Sequence, residues 1–172
     1  GERVCCVKLA YGTSGGTLFT GSEHGRLRSY SLSKCEPRTT FKLSGAQNRP
    51  GKVSHLNFFS DDTLISASMD YIKTNLSAQG SLVRLWDRET GQSLHQLRGH
   101  REPVTSSCQV DGNRSVLATG ATDGTIRIWD LRRRNSEIHK YTDLTYQIWD
   151  LSCSDGMLYS ALGSRSQDIS VP

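Results

Sequence analysis

Two Trp-Asp pairs, Trp86-Asp87 and Trp129-Asp130, stand 43 residues apart, and each closes a run of the same character. The second closes the stretch GHREPVTSSCQVDGNRSVLATGATDGTIRIWD, residues 99–130. Self-similarity at a period of this size marks a chain built from stacked, equivalent units, none of which buries its apolar face alone. Within the stretch, Val116 to Gly120 and Thr125 to Trp129 flank Asp123-Gly124. Two short apolar runs rich in β-branched residues around Asp-Gly are the strongest local signal for a hairpin with a tight two-residue turn. A second turn is expected at Asp111-Gly112.

The same pattern can be laid along the whole chain as four repeats, at residues 1–51, 52–98, 99–145 and 146–172. First strands are read at VCCVKLA, VSHLNFF and IWDLSC, with Val4, Val7 and Leu9 at the offsets of Val53, Leu56 and Phe58 and of Ile148, Leu151 and Cys153. In the third repeat VTSSCQV departs from these offsets, and a short or irregular strand is expected there. Second and third strands are read at TLFTG and RLRSYS, at TLISAS and LVRLWD, and at SVLATG and TIRIWD. Fourth strands are placed at RTTFKLSG and SEIHKYT. A third Trp-Asp, at 149–150, follows Trp129 by only 20 residues. It falls in a first strand and is a chance echo of the dipeptide. The last repeat continues through the Asp155-Gly156 turn and MLYSAL, and DISV begins a third strand.

The Gly-His opening at 99–100, the Trp-Asp closure at 129–130 and the spacing between them resemble a WD repeat, the unit that folds as one four-stranded blade of a β-propeller. The resemblance implies an all-β chain of three complete blades plus part of a fourth, a fragment of a larger, seven-bladed propeller. In that family a His, a Ser or Thr, an Asp and a Trp form a buried hydrogen-bonded set in one blade. The matching positions are His100, Thr119, Asp123 and Trp129. The residue types suit the task, since a carboxylate accepts from an imidazole N–H while a hydroxyl donates to the imidazole and accepts from the indole. The second repeat keeps Ser66, Asp70 and Trp86 and lacks the Gly-His. The first is degenerate, with Thr20, His24 and Tyr30 in the hydroxyl, Asp and Trp positions.

Three features stand out as candidates for partner binding. Between Asp70 and Leu82 the second repeat carries an insertion, YIKTNLSAQGS, where a tight turn is usual. Tyr71 and Lys73 of this loop are candidate contacts, because binding residues concentrate on loops held by rigid scaffolds. LATGATDGTIRIWDLR, residues 117–132, resembles the Trp-Asp-x-Arg box of WD-repeat substrate receptors of cullin-RING ubiquitin ligases, and implies a docking role for Arg132. In the second repeat the base, Arg88, stands one place early. Arg132, Arg133 and Arg134 together form a basic turn that suits an acidic protein, an anionic lipid head group or a phosphate backbone. No aromatic platform accompanies the turn, so nucleic acid is a poor fit. Glu2, Lys34, Arg84 and Glu89 read as ordinary outward-facing charges.

The chemistry of an enzyme is not written here. No G-x-S-x-G, P-loop, H-E-x-x-H or G-x-G-x-x-G occurs, and the histidines lack metal spacing. Five cysteines without C-x-x-C suggest neither a disulfide framework nor a zinc site, and point to a reduced, intracellular setting in cytoplasm or nucleus. No cofactor or metal is expected. No run approaches the length of a membrane span, and no leader-like segment is read at the start. The net charge of +4, from 21 basic and 17 acidic residues, is too weak to imply nucleic acid. The expected function is a non-enzymatic scaffold for protein–protein interaction within a larger complex. The alternatives are a ubiquitin-ligase substrate receptor and a nucleic-acid or phospholipid reader using the basic turn.

Overall fold

The computed structural model describes residues 2–12, 15–41, 49–60, 63–71, 80–110, 115–133, 136–142 and 145–164; at 49–50 and 68–71 it describes the backbone course. Every regular element among the described residues is a β-strand. Strands β1 (Val4–Gly12), β2 (Gly15–Ser22), β3 (Leu27–Ser31) and β4 (Glu36–Thr40) form one antiparallel sheet in chain order. A second is made by β5 (Arg49–Phe58), β6 (Thr63–Tyr71), β7 (Gly80–Asp87) and β8 (Ser93–Arg98). A third holds β9 (Val104–Gln109), β10 (Val116–Ala121), β11 (Ile126–Asp130) and β12 (Glu137–Tyr141), and β13 (Gln147–Ser154) pairs with β14 (Met157–Gly163). This is the blade architecture of a WD-repeat propeller. The chain divides into two compact units, Gly1–Arg101 and Glu102–Pro172.

In the first unit the two sheets share one core. Strand alternation puts Phe19 and Gly21 of β2 on the face toward β5, where Val53 and Leu56 meet them. Phe41 leaves the end of β4 to lie edge-on to Trp86, centroids 5.7 Å apart at 79°, and Phe19 meets Phe58 with the same geometry. Edge-to-face contacts of this kind add to the burial of the rings themselves. The Cys6 thiol donates to the Val53 carbonyl at 3.1 Å, fastening the two first strands side by side.

The second unit repeats the plan with smaller residues. Ala118 and Ile126 pack on Ile148 and Leu151 of β13. Thr105 Oγ1 donates to the Ile148 carbonyl at 2.6 Å, and Ser106 Oγ donates to Asp150 at 2.7 Å. Trp149 sits in β13 and is exposed, unlike Trp86 and Trp129, which are buried in third strands.

The same joint recurs in both units. A Cβ at Gly21 would come within 2.6 Å of Val53 Cγ1, and a Cβ at Gly120 within 2.4 Å of Ile148 Cγ2. Each glycine follows the hydroxyl residue of its second strand, Thr20 or Thr119. Each branched partner is the first apolar residue of the neighbouring first strand.

Several local details differ from the sequence reading. The Asp123-Gly124 hairpin has a three-residue loop, Thr122 to Gly124, closed by Ala121 N–H to the Thr125 carbonyl at 3.2 Å with Gly124 at φ +74°. Asp123 Oδ1 accepts from both the N–H and the hydroxyl of Thr125, which keeps Thr125 out of β11. The loop between Ser22 and Arg26 is built alike, with Gly25 at φ +77°. At Asp155-Gly156 the two-residue turn does form, with φ of +54° and +73°, the double left-handed pair of a type I′ hairpin. Strand β4 starts two residues before RTTFKLSG and ends at Thr40, where Phe41 turns away into the core. Strand β6 runs on to Tyr71 and β7 begins at Gly80, so the insertion read at 71–81 is shorter at both ends; Lys73 and the rest of 72–79 lie outside the described residues. Asp111-Gly112 and DISV lie outside them as well. Strand β9 is short, but its register shift is not special, since β1, β5 and β13 each carry one.

Gly120→Ala is expected to destabilise the chain by about 1–3 kcal/mol through overpacking against Ile148. In urea titrations the double variant Gly120→Ala/Ile148→Ala should lose less than the sum of the two single losses. Additive losses would mean that the joint is not what requires glycine.

Candidate functional site

The residues that hold a blade together come from its second and third strands. Thr119 pairs across the ladder with Arg127, and Trp129 stands two residues further along the same face. That diagonal lets Trp129 Nε1 donate to Thr119 Oγ1 at 2.8 Å. In the second sheet Ser66 pairs with Arg84, and Trp86 Nε1 donates to Ser66 Oγ at the same 2.8 Å. All four side chains are buried. Asp123 belongs to the turn beyond them, where it caps Thr125. His100 is buried in the first unit, with its carbonyl accepting from Ser81 N–H at 2.9 Å. The Asp70 backbone lies in β6 opposite Gly80, and its side chain is outside the described residues. In the first sheet Thr20 and Tyr30 are only partly covered. His24 is exposed, 3.6 Å from Glu2 and 3.8 Å from Glu23.

The aspartate of each Trp-Asp pair does a separate job. Asp87 Oδ1 accepts from Glu89 N–H, Thr90 N–H and the Thr90 hydroxyl at 3.0, 2.7 and 2.8 Å, and the Thr90 bonds above all hold its pKa below the usual range. Asp130 is buried against its turn. It accepts from Arg132 Nε at 2.9 Å, from Arg132 Nη2 at 2.8 Å and from the Arg132 backbone N–H at 3.1 Å. Arg133 Nε adds an ion pair at 3.4 Å. The Arg132 guanidinium, more than the other contacts, lowers the Asp130 pKa to about 2. Bidentate pairing of this kind fixes the plane of the guanidinium. Arg132 nonetheless remains 63% exposed, so the turn presents a charged group of set orientation. Arg133 is exposed as well, and Arg134 lies outside the described residues. Tyr71 is placed at the end of β6 by its backbone alone.

The one-residue shift of the base in the second repeat has a visible consequence. Arg88 does not close on Asp87 as Arg132 closes on Asp130; its guanidinium lies over the Phe58 and Phe19 rings at 4.8 and 5.3 Å. A cation over aromatic faces is a packing contact of the first unit's core.

Two of the charges read as outward-facing are not. Arg84 is buried, because it stands two residues before Trp86 and shares its face. Arg127 holds the same place in β11, is buried, and pairs with Glu137. Glu2 is largely covered, accepting from the Ser22 hydroxyl and pairing with Arg26; the Ser22 bond in particular lowers its pKa. Lys34 and Glu89 are exposed as expected. Among the described residues no three His, Cys, Asp or Glu side chains are grouped to hold a metal ion, and no helix is long and apolar enough to cross a membrane.

Comparison with known proteins agrees with this geometry. The family model for the WD domain, G-beta repeat, matches residues 91–130. The chain is 33% identical over 121 residues to the WD repeat-containing protein ATCSA-1 of Arabidopsis thaliana, covering 69% of this chain and 24% of that protein. It is 38% identical over 91 residues to the F-box/WD repeat-containing protein sel-10 of Caenorhabditis elegans, covering 50% and 15%. The solved WD40 β-propeller domain of Doa1 superposes with a TM-score of 0.70 at 22% identity, over 94% of this chain and 48% of that one. The architecture is therefore that of WD-repeat propeller blades. The chain is a WD-repeat protein, and its matches span a quarter or less of these two relatives' own lengths.

Trp129→Ala should cost about 3–5 kcal/mol in chemical denaturation, through lost aromatic burial, with the Thr119 hydroxyl deprived of its donor. Tyr30→Ala should cost clearly less, and equal losses would contradict the assigned difference between the sheets. The Asp130 carboxyl titrates lower in the folded chain than its ordinary value of 3.8, so its stabilising effect is present above that value and is lost as pH falls toward about 2. The stability gap between the native chain and Asp130→Asn should therefore be widest near neutrality and close across that interval. A gap independent of pH would show that the ion pair contributes nothing.

Proposed function

We propose that this chain is a non-enzymatic scaffold that holds other proteins within a larger complex. WD-repeat proteins generally act as protein-interaction scaffolds, and their propellers are generally non-enzymatic. The repeats at 1–51, 52–98, 99–145 and 146–172 supply the framework. In the reading offered here, His100, Thr119, Asp123 and Trp129, with Ser66, Asp70 and Trp86, keep that framework rigid and take no part in chemistry. The observation that carries the proposal is the Asp130–Arg132 clamp, an exposed guanidinium fixed in direction at the edge of a buried, hydrogen-bonded sheet. A preoriented arginine loses less freedom on meeting a partner than a mobile one, and arginine is enriched where interfaces derive most of their energy. Arg133, Arg134, Tyr71 and Lys73 are the further contact candidates.

A second reading makes the chain a substrate receptor of a cullin-RING ubiquitin ligase. The Trp-Asp-x-Arg box at 129–132 and the similarity to an F-box/WD protein favour it. The basic turn as a reader of nucleic acid or phospholipid is less favoured, because Asp130 pairs with both Arg132 and Arg133 and offsets one of their two charges.

Affinity purification of the tagged chain under cross-linking, compared with Arg132→Ala, separates these readings. The scaffold reading expects protein partners at near-stoichiometric yield. The ligase reading expects a cullin adaptor among them, with recovery falling about tenfold on Arg132→Ala, equivalent to about 1.4 kcal/mol. No adaptor, or indifference to Arg132→Ala, removes the ligase reading. Recovery of the chain without any stable protein partner removes the scaffold reading.

A further inference from the structure

The clamp in the turn after Trp129 fills one edge of an arginine and leaves another open. Asp130 accepts from Arg132 Nε at 2.9 Å and from Nη2 at 2.8 Å, so the side-on edge of the guanidinium is taken. The Nη1–Nη2 edge remains, and no group among the described residues bonds to Nη1. Arg133 Nε reaches the same carboxylate at 3.4 Å, and its side chain is 66% exposed.

Asp130 is itself held from behind. Its N–H donates to the Ser136 carbonyl at 2.7 Å, and its carbonyl accepts from Arg133 N–H at 3.2 Å. Leu131 N–H donates to the Ser115 carbonyl at 2.9 Å. The Asp130 side chain is 4% exposed, so the carboxylate is a fixed post and the two arginines are what a partner meets.

Charge and shape narrow the partner's chemistry. Arg132, Arg133 and Asp130 together carry a single net positive charge. The planar edge of a guanidinium makes two parallel N–H···O bonds to a carboxylate, and one carboxylate neutralises the cluster. A phosphoryl group brings a charge of about −1.5 to −2, and the excess would stand against Asp130. An exposed ion pair on its own is worth little. The carboxylate must therefore arrive on a polypeptide that covers the turn and removes water from it.

We propose that the turn at 130–133 reads a Glu or Asp side chain of a partner protein end-on, through Arg132 Nη1 and Nη2 with Arg133 beside them. Asp130 is the positioning residue that makes this turn select carboxylate over phosphate. The proposal rests on the scaffold reading and names the chemistry of its partner. Its consequence runs against simple electrostatics: Asp130→Asn makes the turn more positive and weakens its hold on an acidic segment, because the guanidinium loses its fixed plane.

Two pools of random-flank peptides, one with Glu fixed at the centre and one with phosphoserine, serve as probes. The native chain should enrich peptides from the Glu pool, and Gln in place of that Glu should remove binding. The enriched peptides should bind Asp130→Asn and Arg132→Lys about tenfold more weakly, the loss expected for one charge-assisted bidentate contact. Lysine keeps the charge and lacks the fork. In Asp130→Asn the ratio of phosphoserine binding to Glu binding should rise, which a general loosening of the fold would not produce. Circular dichroism should show both variants folded; should Asp130→Asn fail, Arg132→Lys carries the test. No enrichment from the Glu pool, a native preference for phosphoserine, or undiminished binding by either variant would overturn the proposal. Purified protein partners that ignore both variants would overturn it too, and would leave the scaffold reading standing.

Discussion

A buried indole has one polar atom, and that atom only donates. Trp86 and Trp129 are both buried, and each meets a hydroxyl on the adjacent strand at 2.8 Å. The requirement fixes more than one bond. Slipping the third strand by one residue against the second would turn the tryptophan to the opposite face and part the indole from its hydroxyl. Two buried polar groups without partners cost about 1–3 kcal/mol each, a large part of the stability of a small unit. The register set by this bond also determines which residues face the neighbouring sheet. Phe19, Ala118 and the glycines beyond them fall on that face, and the hydroxyls fall on the other.

With register settled, the aspartates after Trp86 and Trp129 emerge at the ends of their strands. There each meets whatever the turn offers. In the second sheet that is Thr90, and the carboxylate is capped by uncharged donors. In the third it is Arg132, and the turn becomes a charged, oriented surface feature. One residue of spacing therefore separates a turn that serves packing, with Arg88 drawn over Phe58 and Phe19, from one suited to recognition. A scaffold needs this combination: a framework whose internal bonds leave little slack, and edges where single residues can change without disturbing it.

The sheets were legible because their signal is redundant. Periodic Trp-Asp pairs, Asp-Gly turns and matching apolar offsets all point to four-stranded units, and the type I′ turn at Asp155-Gly156 follows from its two residues alone. The misreadings arose where a side chain overrode a local rule. Thr125 looked like strand until Asp123 capped it. Phe41 looked like strand until the Trp86 ring took it into the core. Arg84 reads as surface by its charge alone, while its parity, two residues before Trp86 in β7, places it inside. The Asp130–Arg132 clamp is half legible: the box singles out Arg132, while nothing in its residue pattern shows that the Asp130 carboxylate two places back holds the guanidinium.

A double-mutant cycle on Thr119→Val and Trp129→Phe probes the founding bond while nearly preserving both side-chain shapes. A coupling free energy of about 1 kcal/mol or more is expected in equilibrium unfolding, because either change alone leaves the other group without its partner. Losses that add to within about 0.3–0.5 kcal/mol would contradict the view that this bond sets the register on which the sheets, their joints and the presented arginine depend.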